Sequence, residues 1–366
     1  MFEYVTSYEE SKKQLFSKIT ELEHKGYVVL KESFNIIDNL SIDKITIKSK
    51  TQTKNRLILN IGLHGIEGYV GHACLMTFID EYLDSLKDDT EVILYHPLNP
   101  FGMKNYRRNN ENNVDLNRNF TTNNFSSQNP GYEKAFKFFE PKKYKNKFTA
   151  NLSFYSSLIG LIIKLGTSVV KEATLLGQKL SKEGIYYSAN THQKSTLYII
   201  DQVKQNLEEI KQVVWIDLHT GYGPRYQMSI VNSQYEKEST KELISNINYP
   251  LVLGLNADDF YEIDGDMIEM IYRINEESLS PTNLYATCFE FGTLGESTLN
   301  TIESLKAIMF ENSNNFKMQK DDFSTYSRTL IKEQFLPSAS EWKKKAQADF
   351  KRAIEGIIKY KELTKK

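Results

Sequence analysis

The chain has 366 residues, of which 40% are hydrophobic and 25% are charged, and its formal net charge is -1. This composition supports a buried core and excludes a largely disordered chain. The near-zero charge argues against a general nucleic-acid-binding surface, which is usually basic. Two cysteines, Cys74 and Cys288, lie in apolar contexts. They imply no disulfide framework and fit a reducing compartment.

The sequence carries no clear targeting or membrane signal. The N-terminus, "MFEYVTSYEE", lacks a basic region followed by an apolar one, so we expect no secretory signal and a cytoplasmic protein. The most apolar stretch, 158–170, is interrupted by Lys164 and Gly166. It is too short for a membrane span, and it predicts a buried helix and no membrane partner.

Hydrophobic periodicity predicts alternating helices and strands along most of the chain. In the first helix, for example, Leu15, Ile19 and Leu22 recur at helical spacing, whereas the strands are short apolar runs. In chain order, the pattern predicts helix 7–25, strands 43–49 and 56–62, helix 68–86, strands 91–96, 213–219 and 286–293, and helix 341–363.

These elements predict an α/β fold with a mixed, mostly parallel central sheet and helices on both faces. Residues 121–150 are rich in Asn, Ser and Lys, which is typical of a loop, and residues 151–211 look largely helical. We therefore expect one domain over 1–366 with a helical insertion at about 125–211. In such sheets ligands bind beyond the carboxyl ends of the strands, so polar residues at the strand ends deserve to be considered together.

The first such group is "LHGIEG", which follows the strand at 56–62. An imidazole and a carboxylate three residues apart, His64 and Glu67, are both suitable ligands for one Zn²⁺ ion. The surrounding glycines permit unusual backbone angles and a close approach of substrate. The alternative is that Glu67 only favours the start of the next helix and that His64 is a hydrogen-bonded loop residue.

The second group is the polar stretch "RRNNENNVDLNRNF", which begins at Arg107 and Arg108. Arginines hold carboxylates bidentately or stabilise an oxyanion. Asp115 is suited to accept the outer N–H of a metal-bound histidine. A solvated polar loop is the alternative for this stretch.

The third and fourth polar groups, around His219 and Glu290, lie at two further strand ends. His219, in "WIDLHTGYGP", precedes a glycine-rich turn as His64 does. With His64 and Glu67 it gives a three-ligand His₂Glu set with an open fourth position, the pattern of catalytic zinc. Glu290, in "CFEFGT", lies on an apolar strand, where burial would raise its pKa toward the range of a general base. A buried histidine with satisfied hydrogen bonds and a salt bridge from Glu290 to Arg118 are the alternatives.

The order of these motifs resembles that of the zinc carboxypeptidases. It is most similar to a bacterial branch of carboxypeptidase-like proteins, the DUF2817 group, through "HGIEG", "RRNNENNVDLNRNF", "DLHTGYGP" and "EFGT". The aspartoacylase and succinylglutamate desuccinylase enzymes share the same core. The resemblance covers roughly residues 55–295.

The resemblance implies a zinc-dependent hydrolase that cleaves an amide bond beside a free carboxylate, with one zinc ion and a peptide or N-acyl amino acid as substrate. Sites of this kind also accept cobalt or manganese. The implied roles are His64, Glu67 and His219 as zinc ligands, Asp115 as the partner of His64, Asn117 and Arg118 as the anchor of the substrate carboxylate, Arg108 or Arg107 as the carbonyl-polarising arginine, and Glu290 as general base and acid.

The resemblance has gaps. A mobile tyrosine expected in carboxypeptidases has no aligned counterpart, with Tyr261, Tyr272 and Tyr285 as candidates. The segment between Arg118 and His219 is long, so specificity does not transfer. A metallocarboxypeptidase is the leading hypothesis. An N-acyl amino acid deacylase using the same residues, and a non-catalytic binding protein on this fold, are the alternatives.

Overall fold

A central eight-stranded sheet organises the chain, seen in a computed structural model that describes residues 2–121, 129–254 and 265–365. The strand order is β1-β2-β4-β3-β5-β8-β6-β7. The strands are β1 Val29–Ile37, β2 Leu40–Ile47, β3 Asn55–Ile61, β4 Thr90–His96, β5 Gln212–Thr220, β6 Met228–Asn232, β7 Val252–Gly254 and β8 Asn283–Phe291.

Helices surround this sheet. They are α1 Tyr8–His24, α2 Gly68–Glu81, α3 Pro100–Lys104, α4 Pro130–Phe139, α5 Lys147–Leu165, α6 Thr167–Leu175, α7 Lys194–Leu207, α8 Thr240–Ile247, α9 Met267–Glu276, α10 Thr298–Phe316, α11 Asp321–Phe335 and α12 Ser340–Tyr360. Short 3₁₀ turns cover Gly65–Glu67, Leu83–Ser85 and Leu116–Arg118. The α/β fold with a mixed, mostly parallel sheet is confirmed.

The four inner strands, β4, β3, β5 and β8, are parallel to one another, and the pairs that flank them are antiparallel. β3 pairs in parallel with β4 and β5, β5 pairs in parallel with β8, and β6 pairs in parallel with β7. β1 with β2, β2 with β4, and β6 with β8 are antiparallel. All seven residues of β4 are buried, as expected for a strand covered on both faces.

Successive side chains of each strand point to opposite faces of the sheet, so the core is divided into two layers. Leu57 and Leu59 of β3 face a cluster that includes residues of α1, α2 and α12, whereas Ile58 and Trp215 face a cluster with residues of α7 and α9. This sandwich holds the inner strands rigidly and leaves their carboxyl ends at one edge of the sheet.

A third cluster joins helices that are distant in sequence. Tyr132 of α4 and Phe154 of α5 pack with Phe310 of α10 and Phe323 of α11. We call α4, α5, α6, α10 and α11 the helical layer. α7 lies outside it, because its buried side chains pack against the sheet. The single-domain assignment and the limits of the insertion at about 125–211 stay predictions.

Several sequence predictions were wrong in detail. In its described part, 129–150, the loop predicted over 121–150 contains α4 and the start of α5, because scattered aromatic residues such as Tyr132 and Phe139 are buried. Residues 122–128 lie outside the described residues. The helix predicted over 158–170 is divided at Gly166, whose φ of 81° ends α5. It is also largely solvent-facing, since only Ala150, Phe154 and Leu158 of α5 are buried. By length and composition alone, α5 meets the criteria for a membrane span.

Two buried histidines, His72 and His96, lie close together outside the strand-end site. His72 of α2 and His96 of β4 lie with ring centroids 5.4 Å apart. Burial lowers the pKa of each imidazole to about 3. The neighbouring His96 lowers the pKa of His72 further, and Glu10 opposes this shift. Lys12 lowers the pKa of His96 further. Neither ring nitrogen of His96 has a hydrogen-bond partner within the described part of the chain.

We predict that lowering the pH from 7 to 5 destabilises the fold through this pair. The unfolded chain takes up protons on both histidines near pH 6.5 and the folded chain does not, so the free energy of unfolding falls as the pH falls. The loss is about 2 kcal/mol per histidine. Urea unfolding at both pH values measures it.

The matched control is the His72→Gln/His96→Gln double variant, which removes both titrating groups. Its pH dependence between 7 and 5 should be shallower than that of the wild type, whatever its absolute stability. Equal slopes for the two proteins would contradict the prediction.

Candidate metal centre and active site

The candidate site lies at the carboxyl ends of three adjacent parallel strands. His64 follows the end of β3 at Ile61, and His219 is the penultimate residue of β5. Glu290, the penultimate residue of β8, lies directly opposite His219 in the strand register. The parallel pairing therefore brings together residues that are up to 226 positions apart in the sequence.

The turn after β3 requires glycine at two positions. Gly62 has a φ of +67°, a conformation that favours glycine. A Cβ on Gly65 would lie 2.2 Å from the backbone of Gly102. Gly65 N–H donates to the carbonyl oxygen of Arg108 at 3.1 Å, so the turn is tied to the arginine-rich loop. The backbone thereby fixes the first histidine and this arginine relative to each other.

Three side chains form a compact ligand set. The Glu67 carboxylate lies between two imidazoles, with Oε1 2.9 Å from Nδ1 of His64 and Oε2 3.0 Å from Nδ1 of His219. All three residues are buried, and their ligand atoms lie within 4.8 Å of one another. Two imidazoles and one carboxylate in this arrangement could hold one metal ion.

Each histidine has a carboxylate on its other ring nitrogen. Nε2 of His64 lies 3.0 Å from Oδ1 of Asp115, and Nε2 of His219 lies 2.7 Å from Oδ2 of Asp217. A proton held on Nε2 by the aspartate leaves the Nδ1 lone pair for a metal. The donor set therefore fits a divalent cation. Asp217 was not singled out from the sequence, although the "DLH" spacing contains it.

Carboxylates dominate the electrostatics of this site. Burial would raise the pKa of the Glu67 carboxyl, but His64 and His219 bring it down to about 2. Burial also opposes charge on His219, yet Asp217 and Glu67 raise the pKa of its imidazole well above the ordinary value. The field that draws a proton to the histidine also attracts a metal cation.

Glu290 faces this ligand set without belonging to it. Its Oε1 accepts the backbone N–H of Tyr222 at 2.9 Å. Loss of solvent around the carboxyl raises its pKa to about 8, with Glu67 adding to the shift and His219 and Arg108 opposing it. A carboxyl group with this pKa, beside a candidate metal site, can exchange protons near neutral pH.

The two adjacent arginines have different partners. Arg108 points toward the ligand set, where its Nε donates to Oδ2 of Asp115 at 3.0 Å and its Nη1 lies 3.7 Å from Oε1 of Glu67. Arg107 points away, with its Nε 2.6 Å from Oε1 of Glu311 on α10. Their roles in polarising a carbonyl stay predictions.

Asn117 and Arg118 lie in the 3₁₀ turn that directly follows Asp115 in the sequence. The Asn117 amide is engaged at the start of α9, donating to Asp266 and accepting the backbone N–H of Met267. Arg118 is buried, and its Nη1 donates to the carbonyl oxygen of Asn117 at 3.1 Å. Their contact with a substrate carboxylate stays a prediction.

The three candidates for the mobile tyrosine either lie away from the ligand set or fall outside the described residues. Tyr272 is buried behind the sheet with its hydroxyl on Glu236, and Tyr285 lies near the other end of β8 beside Lys361. Tyr261 falls outside the described residues. A tyrosine that no sequence motif indicated, Tyr186, lies within electrostatic reach of Arg108, Arg118 and Asp115.

Tyr186 belongs to a segment that is held against the Asp115 loop. Its φ of 56° is in the left-handed region, which is uncommon for a residue with a side chain. The backbone N–H of Asp115 donates to the carbonyl oxygen of the next residue, Tyr187, at 2.8 Å. Burial raises the pKa of the Tyr186 phenol, and the two arginines oppose this shift.

Comparison with solved structures places the chain among carboxypeptidase-like folds. Thrombin-activatable fibrinolysis inhibitor matches with a TM-score of 0.51 at 15% identity, over 94% of this chain and 75% of that one. Carboxypeptidase A from Helicoverpa armigera matches with a TM-score of 0.48 at 15% identity, over 97% and 76%. Succinylglutamate desuccinylase from Chromobacterium violaceum matches with a TM-score of 0.37 at 10% identity, over 78% and 71%.

The comparison with curated proteins gave no significant match. The profile of the family described as "Protein of unknown function (DUF2817)" matches residues 4–349, nearly the whole chain. The resemblance inferred from the strand-end motifs is therefore confirmed. The chain belongs to the DUF2817 family.

Proposed function

We propose that this protein is a zinc-dependent hydrolase that cleaves an amide bond next to a free carboxylate, acting as a metallocarboxypeptidase. The observation that supports this most is the buried His64, Glu67 and His219 set with Glu290 opposite His219 in the neighbouring strand. A ligand set and a proton-transferring carboxyl at one sheet edge are the two parts that metal-assisted hydrolysis requires.

The ligand chemistry favours zinc. Two imidazole nitrogens and one carboxylate oxygen leave a fourth position open, as in catalytic rather than structural zinc sites. When bound, such a cation supplies Lewis acidity and makes water a nucleophile near neutral pH. Asp115 and Asp217 orient His64 and His219 by holding the outer ring proton of each.

Glu290 is assigned the proton transfers. Its carboxylate accepts a proton from the attacking water and, as a carboxylic acid, delivers it to the departing amine. The Tyr222 N–H holds Oε1 in place, which leaves Oε2 for this exchange. Because the same carboxyl group takes the proton from the water and then gives it to the amine, Glu290 serves first as base and then as acid.

Arg108 is assigned to the carbonyl oxygen, where a fixed positive charge stabilises the developing oxyanion. Asp115 holds its guanidinium, and Phe335 lies under it with the ring centroid 5.9 Å away. Arg118 is assigned to the substrate carboxylate, assisted by the Tyr186 hydroxyl, with Asn117 steadying the turn that carries the arginine.

The first prediction from this proposed function concerns metal content. The wild type should bind about one equivalent of zinc, and His219→Ala should lose it, because the remaining His64 and Glu67 make only two ligands. Metal analysis after dialysis measures the stoichiometry, and thermal unfolding should show a zinc-dependent rise in the midpoint for the wild type alone.

His24→Ala is the matched control, since His24 is exposed at the end of α1. It should bind zinc as the wild type does. Retention of a full equivalent by His219→Ala would contradict the assigned ligand set.

The second prediction tests the reaction itself. A screen of C-terminally unblocked peptides and N-acyl amino acids should find turnover of peptides by the zinc-loaded wild type. Glu290→Gln keeps the shape of the side chain but cannot accept the proton, so it should lower kcat by roughly 10²–10⁴-fold with zinc retained.

Glu296→Gln is the control, because Glu296 is an exposed carboxylate shortly after β8. It should leave kcat unchanged. Turnover of N-acyl amino acids without peptides would replace the carboxypeptidase assignment by a deacylase. No turnover of either class by zinc-loaded protein would favour a non-catalytic binding protein.

The third prediction separates the two arginines. Arg108→Ala should lower kcat/KM by about 10²–10³-fold, because the oxyanion loses a fixed charge. Arg107→Ala should mainly lower the free energy of unfolding, because Glu311 would lose its partner. Steady-state kinetics and urea unfolding of both variants would show the opposite pattern if Arg107 polarises the carbonyl.

A further inference from the structure

Helix α5 exposes a stripe of large apolar side chains to solvent. Phe148 is 73% exposed, Leu152 61%, Ile159 58% and Ile163 80%, and Tyr155 lies in the same row at 37%. At 100° per residue these five positions fall within an arc of roughly 80° on one side of the helix. We call them the α5 stripe. An ordered row of this kind differs from singly scattered surface leucines.

The opposite side of α5 already has its partners. Phe154 packs against Phe138 and Phe310, with ring centroids 5.7 Å and 5.9 Å away, and Ala150 and Leu158 are also buried. The helix is therefore held in the helical layer by one face. Within the α5 stripe, Tyr155 contacts α10 through Glu303 and Lys306. A helix held by one face in this way is incompatible with α5 crossing a bilayer while the layer stays folded.

The surroundings of the α5 stripe are strongly basic. Residues 133–182 contain ten lysines and three glutamates, a formal charge of +7, although the whole chain carries -1. Lys143, Lys145 and Lys147 are exposed just before or at the first turn of α5, and Lys164 is exposed in its last turn. The positive charge of the chain is thus concentrated in the sequence around this apolar row.

The acidic groups beside α5 already have partners. Glu303 accepts the Tyr155 hydroxyl and pairs with Lys306 at 2.6 Å. Asp322 accepts the backbone N–H of Lys147 at 3.0 Å. Lys306 therefore balances the charge of Glu303, and Asp322 places one carboxylate beside the three lysines at the start of α5.

We propose that the α5 stripe docks on an anionic lipid surface. In this arrangement α5 lies in the plane of the interface, with its apolar side chains at the boundary of the acyl chains and the flanking lysines on phosphate groups. Charge complementarity favours this occupant over a second copy of the chain, because two faces with the same excess of lysines repel each other.

The test uses the full chain and sedimentation with lipid vesicles. Vesicles containing phosphatidylglycerol should retain the protein, and vesicles of phosphatidylcholine alone should retain far less, because about 1 kcal/mol of attraction comes from each lysine near an anionic surface. Raising the salt concentration should weaken binding to the anionic vesicles.

Two variants separate the apolar and charged contributions. Ile159→Glu should weaken binding at least about tenfold, because a charge replaces an isoleucine that the bound lipid would cover. The Lys143→Gln/Lys145→Gln/Lys147→Gln variant should weaken it on the order of a hundredfold. All altered side chains are exposed, so circular dichroism should show unchanged folding.

Leu279→Glu is the matched control, since Leu279 is a fully exposed leucine just after α9, outside the helical layer. It should bind as the wild type does. The proposal is overturned if anionic vesicles fail to retain the wild type, or if Ile159→Glu binds them equally well. It is also overturned if sedimentation velocity shows a dimer in lipid-free solution that Ile159→Glu dissociates, which would assign the α5 stripe to a second copy.

Discussion

The parallel pairing of β3, β5 and β8 is the constraint on which the rest of the site depends. Ile61 at the end of β3 is level with Leu218, and His219 is level with Glu290. Parallel strands end at the same edge of a sheet, so three separate turns deliver their side chains to one place. A shift of one residue in β5 would turn His219 to the opposite face of the sheet.

The buried charges at this edge are stable only as a group. Taking a carboxylate out of water is costly unless it is paired, and here Glu67 is shared by His64 and His219. Asp217 and Glu67 favour a proton on His219, whereas a metal would need the lone pair of its Nδ1. Metal binding therefore competes with protonation and releases protons. Affinity for the cation should be set by this exchange as much as by ligand number.

Continuous apolar runs and motif spacing made the centre of the fold predictable from the sequence. β4 and β5 are such runs, and His64, Glu67 and His219 meet where the strand-end pattern indicated. The edge strand β1 was not predicted, because most of its side chains are exposed. Arg107 and Arg108 are neighbours in sequence, and their different partners, Glu311 on α10 for Arg107 and Asp115 for Arg108, separate their directions. Tyr186 carries no motif, since tertiary contacts alone place it.

The helical layer connects the candidate site to the outer surface. Phe335, the last residue of α11, belongs to the core of this layer, contacts Arg108, and accepts the Thr220 hydroxyl through its carbonyl oxygen. The same core anchors the buried face of α5. A surface bound by the α5 stripe would therefore be coupled to the arginine loop through packed side chains rather than through a flexible linker. Docking would then fix the orientation of the candidate site relative to the lipid surface.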